Sequence, residues 1–196
     1  ATFVQFVGEC SAAQIDAIAG KAAAANSDVF IAVGGGKAID TTKGARIKTG
    51  GKLVVVPTVA SNDAPTSRLA IVYTDDHVLS EVRLMPANPD AVVVDTAIIA
   101  RAPRRFFVAG IGDALTKKFE AEQSYNSGGL NFYKARPAEL ALAIADQCYR
   151  VVRRDALGAL EAVERQQPNA AFESVVEATI LLSGLGFESG GLSIAH

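Results

Sequence analysis

A chain of 196 residues is long enough to bury a substantial core, in one large domain or two small ones. Hydrophobic residues at 49% and charged residues at 20% exclude a disordered chain, and a formal net charge of −2 leaves no electrostatic footprint for nucleic acid or an anionic membrane. Cys10 and Cys148 lie far apart without a C-x-x-C, no apolar segment reads as long enough to span a bilayer, and the start lacks a signal-peptide pattern, so a cytoplasmic protein is expected.

Thr2 to Val7 alternates as a strand would, and Ser11 is placed to cap an alanine-rich helix ending near Asn26. The apolar run Val29 to Val33 reads as a buried strand, followed by Gly34-Gly35-Gly36-Lys37 and a helix to about Lys48 that Gly50 and Gly51 stop. A glycine-rich strand-to-helix turn suits phosphate, because the first helical amides are unpaired donors carrying partial positive charge and Lys37 adds a full one. The stretch matches neither G-x-G-x-x-G nor the P-loop, and the plainer alternative is a turn that packs a helix tightly on a sheet. Leu53 to Val56 is a continuous apolar strand of the kind buried on both faces. Strand, helix, strand, helix, strand, counted from Thr2, is the grammar of a doubly wound parallel sheet, whose ligands gather beyond the carboxyl ends of the strands.

The loop from Pro57 to Ser67 is rich in hydroxyls and carries Asp63, a set able to hydrogen-bond a cofactor and orient a polyol. The alternative is a surface loop built from Asx and Ser/Thr turns. Leu69 to Tyr73 and Val78 to Leu84 form a hairpin in this reading, with His77 an exposed histidine at its turn, and Ala91 to Asp95 is a further buried strand. Past a boundary near Thr96 to Pro103 the period is helical, with helices around Pro103 to Glu122, Pro137 to Arg153, Asp155 to Glu164 and Asn169 to Leu185. Asp113 sits among small apolar residues beside Gly110 and Gly112, where a carboxylate must be paired or metal-bound. Asp113 and the last residue, His196, are both competent zinc ligands, but a catalytic zinc normally takes three protein ligands.

Read together, Gly34-Gly35-Gly36-Lys37-x-x-Asp40, Pro57-Thr58-x-Ala60-Ser61-x-Asp63-Ala64-Pro65, Asn88-Pro89-Asp90, Val94-Asp95-Thr96, Gly110-x-Gly112-Asp113-Ala114 and Gly191-Leu192-x-x-Ala195-His196 form one series. The chain thereby resembles, from end to end, the glycerol dehydrogenases among the iron-type (group III) metal-dependent alcohol dehydrogenases. The resemblance implies an α/β fold with a doubly wound, mostly parallel sheet of the dehydroquinate synthase-like, Rossmann type, followed by an all-helical domain. The division falls at 1–101 for NAD binding and 102–196 for the start of the helical metal-binding part.

The same resemblance implies NAD-dependent oxidation of glycerol to dihydroxyacetone. It places Gly35, Gly36, Lys37 and Asp40 at the NAD pyrophosphate, and Thr58, Ser61, Ser67, Leu69 and Tyr73 along the rest of the cofactor. Asp63 would contact the substrate, and Asp113 and His196 would bind zinc, with Fe2+ the other candidate metal. A small polyol substrate and a homo-oligomer, octameric in the full-length form, belong to the same expectation. The family's third ligand, a second histidine, and its first α/β segment have no counterpart here, so the chain looks like the middle of a longer enzyme. Asn62 and Thr66 fall where the family pattern varies. The alternatives are a glycerol-phosphate dehydrogenase or dehydroquinate-synthase-like enzyme, for which Arg68 beside the Asp63 loop is no basic cluster, and a non-catalytic nucleotide-binding fragment.

Overall fold

The computed structural model describes residues 1–193, and the expected ligand His196 lies outside the described residues. The chain forms two compact units, one from residues 1–58 and 68–94 and the other from 59–67 and 95–196. The division expected at 101/102 differs from this by the segment Asp95–Arg101 and by the loop 59–67, both of which go with the helices.

In the first unit, Ser11 caps α1 (Ala12–Ala24) by accepting from Gln14 N at 3.5 Å, and α1 buries Ile15, Ala19 and Ala22 at helical spacing. Strand β1 (Val29–Gly34) runs parallel to β2 (Lys52–Pro57), with Val29 opposite Lys52 and Gly34 opposite Pro57. The crossover between them is α2 (Gly36–Thr49), which packs on both strands and ends at Gly50, where φ is +76°. An antiparallel ribbon, β3 (Leu69–Tyr73) and β4 (Leu79–Leu84), follows, with an irregularity between Val72 and Tyr73. The chain then returns to pair β5 (Ala91–Val92) parallel to β2, giving a sheet of order β1-β2-β5.

Three expectations are corrected in this unit. Thr2 to Val7 is not a strand: among the described residues it has no ladder partner, and Phe3 is 95% exposed. Second, β1 is buried on one face only. Phe30 and Ala32 point toward the covered side, while Val29, Ile31 and Val33 are exposed, so period-2 alternation replaces the expected continuous burial, and β2 shows the same bias more weakly. Third, the strand expected through Asp95 stops at Val92, with one further bond from Val93 N to Val55 O, because Asp95 turns the chain into a helix.

In the second unit, the Asp95 carboxylate accepts from Ala97 N and Ile98 N and so caps α3 (Thr96–Ala100). Helix α4 (Arg104–Asn126) packs against α5 (Glu139–Glu164), which in turn carries α6 (Ala170–Glu177). The two helices expected on either side of Arg154 are thus one. Arg153-Arg154-Asp155 contains no breaker, and Gly158 is kept inside α5 where a Cβ would lie 3.2 Å from Ala171 Cβ. After α6 the helix loosens into a π-turn (Ala178–Leu182), recovers as α7 (Ser183–Gly190), and ends at Gly191 with φ +85°. Ala114, Cys148, Val151, Val152 and Ala178 make the core where α4, α5 and the π-turn meet. Contrary to expectation, one run, Ala170–Gly190, is long and apolar enough to cross a bilayer by length and composition, and 56% of its most apolar window is buried, as in a core helix.

Candidate functional site

At the carboxyl ends of β1 and β2 the backbone leaves little room for side chains. Gly34 takes φ +155°, and a Cβ there would lie 2.9 Å from Ala38 Cβ, so the chain can enter α2 tightly only with glycine. Gly35 caps α2 without a side chain, Gly36 and Lys37 begin it, and Thr58 N donates to Gly34 O at 3.0 Å. The expected residues Gly35, Gly36, Lys37 and Thr58 are therefore gathered at one edge of the sheet, with the leading amides of a 14-residue helix opening there.

Lys37 does not stand alone. Its Nζ lies 2.6 Å from Glu9 Oε2, His77 Nδ1 donates to the same oxygen at 2.7 Å, and Cys10 N donates to Glu9 Oε1 at 2.9 Å. Burial pulls the Glu9 carboxyl upward, but these three hydrogen bonds outweigh it and hold its pKa at about 2. His77, expected to be an isolated exposed histidine, keeps an exposed ring yet is a partner of this cluster, its backbone at φ +62° turning the ring back toward Glu9. Burial pushes the neighbouring Cys10 thiol up to about 11, which keeps it protonated and inert at neutral pH.

One turn further along α2, Asp40 is buried, and its Oδ1 accepts from Lys43 Nζ at 3.1 Å while Oδ2 accepts from Ile71 N at 3.2 Å. Lys43 Nζ also donates to Leu69 O at 2.5 Å, and its side chain has no solvent exposure. Asp40 and Leu69, both expected along the cofactor, thus meet through a lysine that the sequence reading did not single out. Tyr73, expected there too, is anchored by its N donating to Cys10 O at 2.8 Å. The available signal for Lys43 was its i+3 spacing from Asp40 on a helix face also carrying Ile39 and Gly44.

In the helical unit the loop 59–67 is pressed onto α4. A Cβ on Gly110 would lie 2.1 Å from Ala60 O, so only glycine allows this close approach, while a Cβ on Gly112 would meet nothing within 4 Å. The local turns expected of this loop are present. Asn62 Oδ1 accepts from Ala64 N at 3.1 Å as an Asx turn, and the amides of Thr66 and Ser67 donate to Asp63 O. Ser67 is buried and Ser61 partly so. Thr66 Oγ1 donates to Ile180 O at 2.7 Å, a carbonyl within the π-turn, where the widened ladder leaves acceptors for side chains.

The Asp63 carboxylate is fixed from two sides. Ser183 Oγ donates to Oδ2 at 3.1 Å, and Lys117 Nζ lies 3.2 Å from the same oxygen and 3.0 Å from Asp113 Oδ1. Asp63 and Asp113 are thus brought onto a single ammonium whose side chain is 3% exposed and sits 5.3 Å from the Phe187 ring centroid. Burial raises the Asp63 pKa above the ordinary range, with Lys117 and Ser183 pulling against it. For Lys117 burial works downward, but the two carboxylates outweigh it and raise its pKa, so the ammonium stays charged. Cys148 donates to Ala114 O and Ala178 O, and burial lifts its thiol to about 12.

Asp113 therefore has the partner that its burial demands. Among the described residues no group of three or more His, Cys, Asp and Glu side chains is close enough to hold a metal. Two carboxylates converging on one positive charge nevertheless fit the oxygen part of a divalent-cation site. Lys117 and Ser183 escaped the sequence reading, and Thr66 entered it only as a variable position of the loop. Only Lys117 left a signal, four residues after Asp113 on one helix.

Residues 1–103 match the family described as iron-containing alcohol dehydrogenase. The chain is 44% identical over 193 residues to a glycolaldehyde reductase of Halobacterium salinarum, covering 98% of this chain and 53% of that protein. It is 44% identical over 191 residues to a glycerol dehydrogenase of Thermotoga maritima, covering 97% and 52%. The crystal structure of a probable glycerol dehydrogenase from Sinorhizobium meliloti superposes with a TM-score of 0.96 at 47% identity, over 100% of this chain and 55% of that one. The chain spans about half the length of the curated relatives it matches. The glycine turn, the Asp63 loop and Asp113 thus stand in a chain that belongs to the iron-containing alcohol dehydrogenase family.

Proposed function

We propose that the protein containing this chain oxidises glycerol reversibly to dihydroxyacetone with NAD, and that Asp113, together with His196, holds a zinc ion. The observation that carries the reading is the convergence of Asp63 and Asp113 on one buried positive charge, in a chain 44% identical to a glycerol dehydrogenase. When bound, zinc supplies Lewis-acid polarisation of the substrate hydroxyl and NAD the hydride acceptor. The chain's own residues supply position. The amides at the start of α2 and Lys37 meet the pyrophosphate charge, while Asp63, clamped by Ser183, accepts a polyol hydroxyl. The remaining cofactor contacts fall to Asp40, Thr58, Ser61, Ser67, Leu69 and Tyr73.

In the same reading, helices α3 to α7 open an all-helical metal-binding domain, the sheet belongs to a doubly wound dehydroquinate synthase-like fold, and the whole protein is a cytoplasmic homo-oligomer. A second substrate has support of its own, since the Halobacterium relative is a glycolaldehyde reductase and glycolaldehyde shares the 2-hydroxycarbonyl unit of dihydroxyacetone. A phosphorylated substrate is disfavoured. Lys117, the cation beside Asp63, is already neutralised by two carboxylates.

The test is NADH formation by the zinc-loaded protein with glycerol, and NADH consumption with dihydroxyacetone, glycolaldehyde and a glycerol phosphate. Turnover of glycerol and dihydroxyacetone, lost together with bound zinc in Asp113→Asn, is the expected result. Preference for the phosphate ester, or NAD binding without any turnover, overturns it in favour of the sugar-phosphate or the non-catalytic reading.

A further inference from the structure

The point where Asp63 and Asp113 converge is held by a cation that the chain supplies itself. Lys117 lies one turn beyond Asp113 on α4, its Nζ 3.0 Å from Asp113 Oδ1 and 3.2 Å from Asp63 Oδ2. This pairing is built rather than incidental: the lysine side chain is 3% exposed, and the Phe187 ring flanks it. A zinc ion binds carboxylate oxygen at about 2.0–2.2 Å. An ammonium 3 Å from the same carboxylate would then face the metal as a like charge in a site shielded from water. The two cations share the Asp113 carboxylate and repel each other.

We propose that Lys117 is a built-in competitor for the metal. Its ammonium fills the carboxylate pair when no metal is bound and keeps two buried acids from facing each other. When a divalent cation binds Asp113, Lys117 withdraws along its flexible four-carbon stem. By linkage, a group that stabilises the metal-free form weakens metal binding to the same degree. Lys117 thus sets how readily the site gives up its metal, and it lets the helical unit fold before metal arrives. The inference rests on Asp113 being a metal ligand, as proposed above.

The experiment compares the wild-type protein with Lys117→Gln and Asp113→Asn, each purified with zinc and then stripped. Zinc is returned by titration against a chromophoric chelator, and thermal unfolding is followed with and without zinc. Lys117→Gln is expected to bind zinc about tenfold or more tightly than wild type, to melt lower when metal-free, and to gain more from zinc. Zinc affinity equal to or weaker than wild type in Lys117→Gln, alongside lost binding in Asp113→Asn, overturns the competitor role alone. Zinc retained by Asp113→Asn overturns the ligand assignment on which it rests. If Lys117→Gln does not survive stripping, a crystal structure of the zinc-loaded wild type decides. Lys117 Nζ beyond hydrogen-bonding distance of Asp113 supports the proposal, and Lys117 Nζ still bonded to Asp113 overturns it.

Discussion

Each unit of this chain buries a lysine on a helix, and the two are used differently. Lys43 donates to the Asp40 carboxylate and to the main-chain oxygen of Leu69, while Asp40 accepts from Ile71 N, so the pair ties α2 to β3 through backbone groups. Lys117 instead stands between two side-chain carboxylates, Asp63 and Asp113. A main-chain acceptor such as Leu69 O is fixed by the ladder of its strand and asks for a donor. A carboxylate pair asks only for positive charge. The first arrangement is therefore a strut that nothing else in solution can replace, and the second is a charge site whose occupant can be exchanged.

The largest effect should come from breaking the strut. Lys43→Met leaves Asp40 and Leu69 O in the core without their cation, and removing one partner of a buried, hydrogen-bonded ion pair costs about 3–5 kcal/mol. Urea unfolding monitored by circular dichroism should show that loss. Because no metal ligand is involved, added zinc should not restore it. Rescue of Lys43→Met by zinc would erase the distinction between the two lysines.

A smaller effect tests the support under the charge site. Gly110→Ala gains helix propensity of about 1 kcal/mol but drives a Cβ into the Ala60 carbonyl, 2.1 Å away, and overpacking against backbone costs about 1–3 kcal/mol. The clash should win, lowering stability and shifting the loop that carries Asp63. Gly112→Ala, on the same helix with nothing within 4 Å, should gain about 1 kcal/mol. Parallel melting curves for the two variants check this. Equal shifts would mean that the contact between loop and helix does not hold Asp63 in place.

The contrast also marks where sequence is legible. The glycine turn, the parallel order of β1 and β2, the hairpin and most helix ends are local matters of apolar period, caps and glycines, and they could be read residue by residue. What depended on partners could not. Thr2 to Val7 alternates like a strand yet finds no ladder, and the outward face of β1 is as apolar as its inward face although only the inward one is covered. Asp113 was legible as a carboxylate that must be paired or metal-bound, whereas Lys117, four residues on, could not be placed between Asp113 and Asp63, because spacing does not tell which side of a helix the neighbouring elements will bury. Ser183 and Ile180 become partners of the Asp63 loop only through contacts across more than a hundred residues of chain.

Glu9 supplies the smallest effect and a third kind of pairing. Its carboxylate serves Lys37 and His77, whose side chains are 56% and 72% exposed, so water screens much of what the pair contributes. The sign of its pH dependence is nevertheless fixed. Folding lowers the Glu9 pKa from 4.5 to about 2, so the folded state favours the ionised form. The stabilisation is complete above 4.5 and disappears as pH falls toward 2. Glu9→Gln cannot ionise, so its melting temperature should lie below wild type near neutrality by about 2–4 °C at most, and the gap should close on acidification through that window. A gap that widens as pH falls would mean that the Glu9 cluster acts through packing and not through charge, and would place it with the Lys43 strut instead of the exchangeable Lys117.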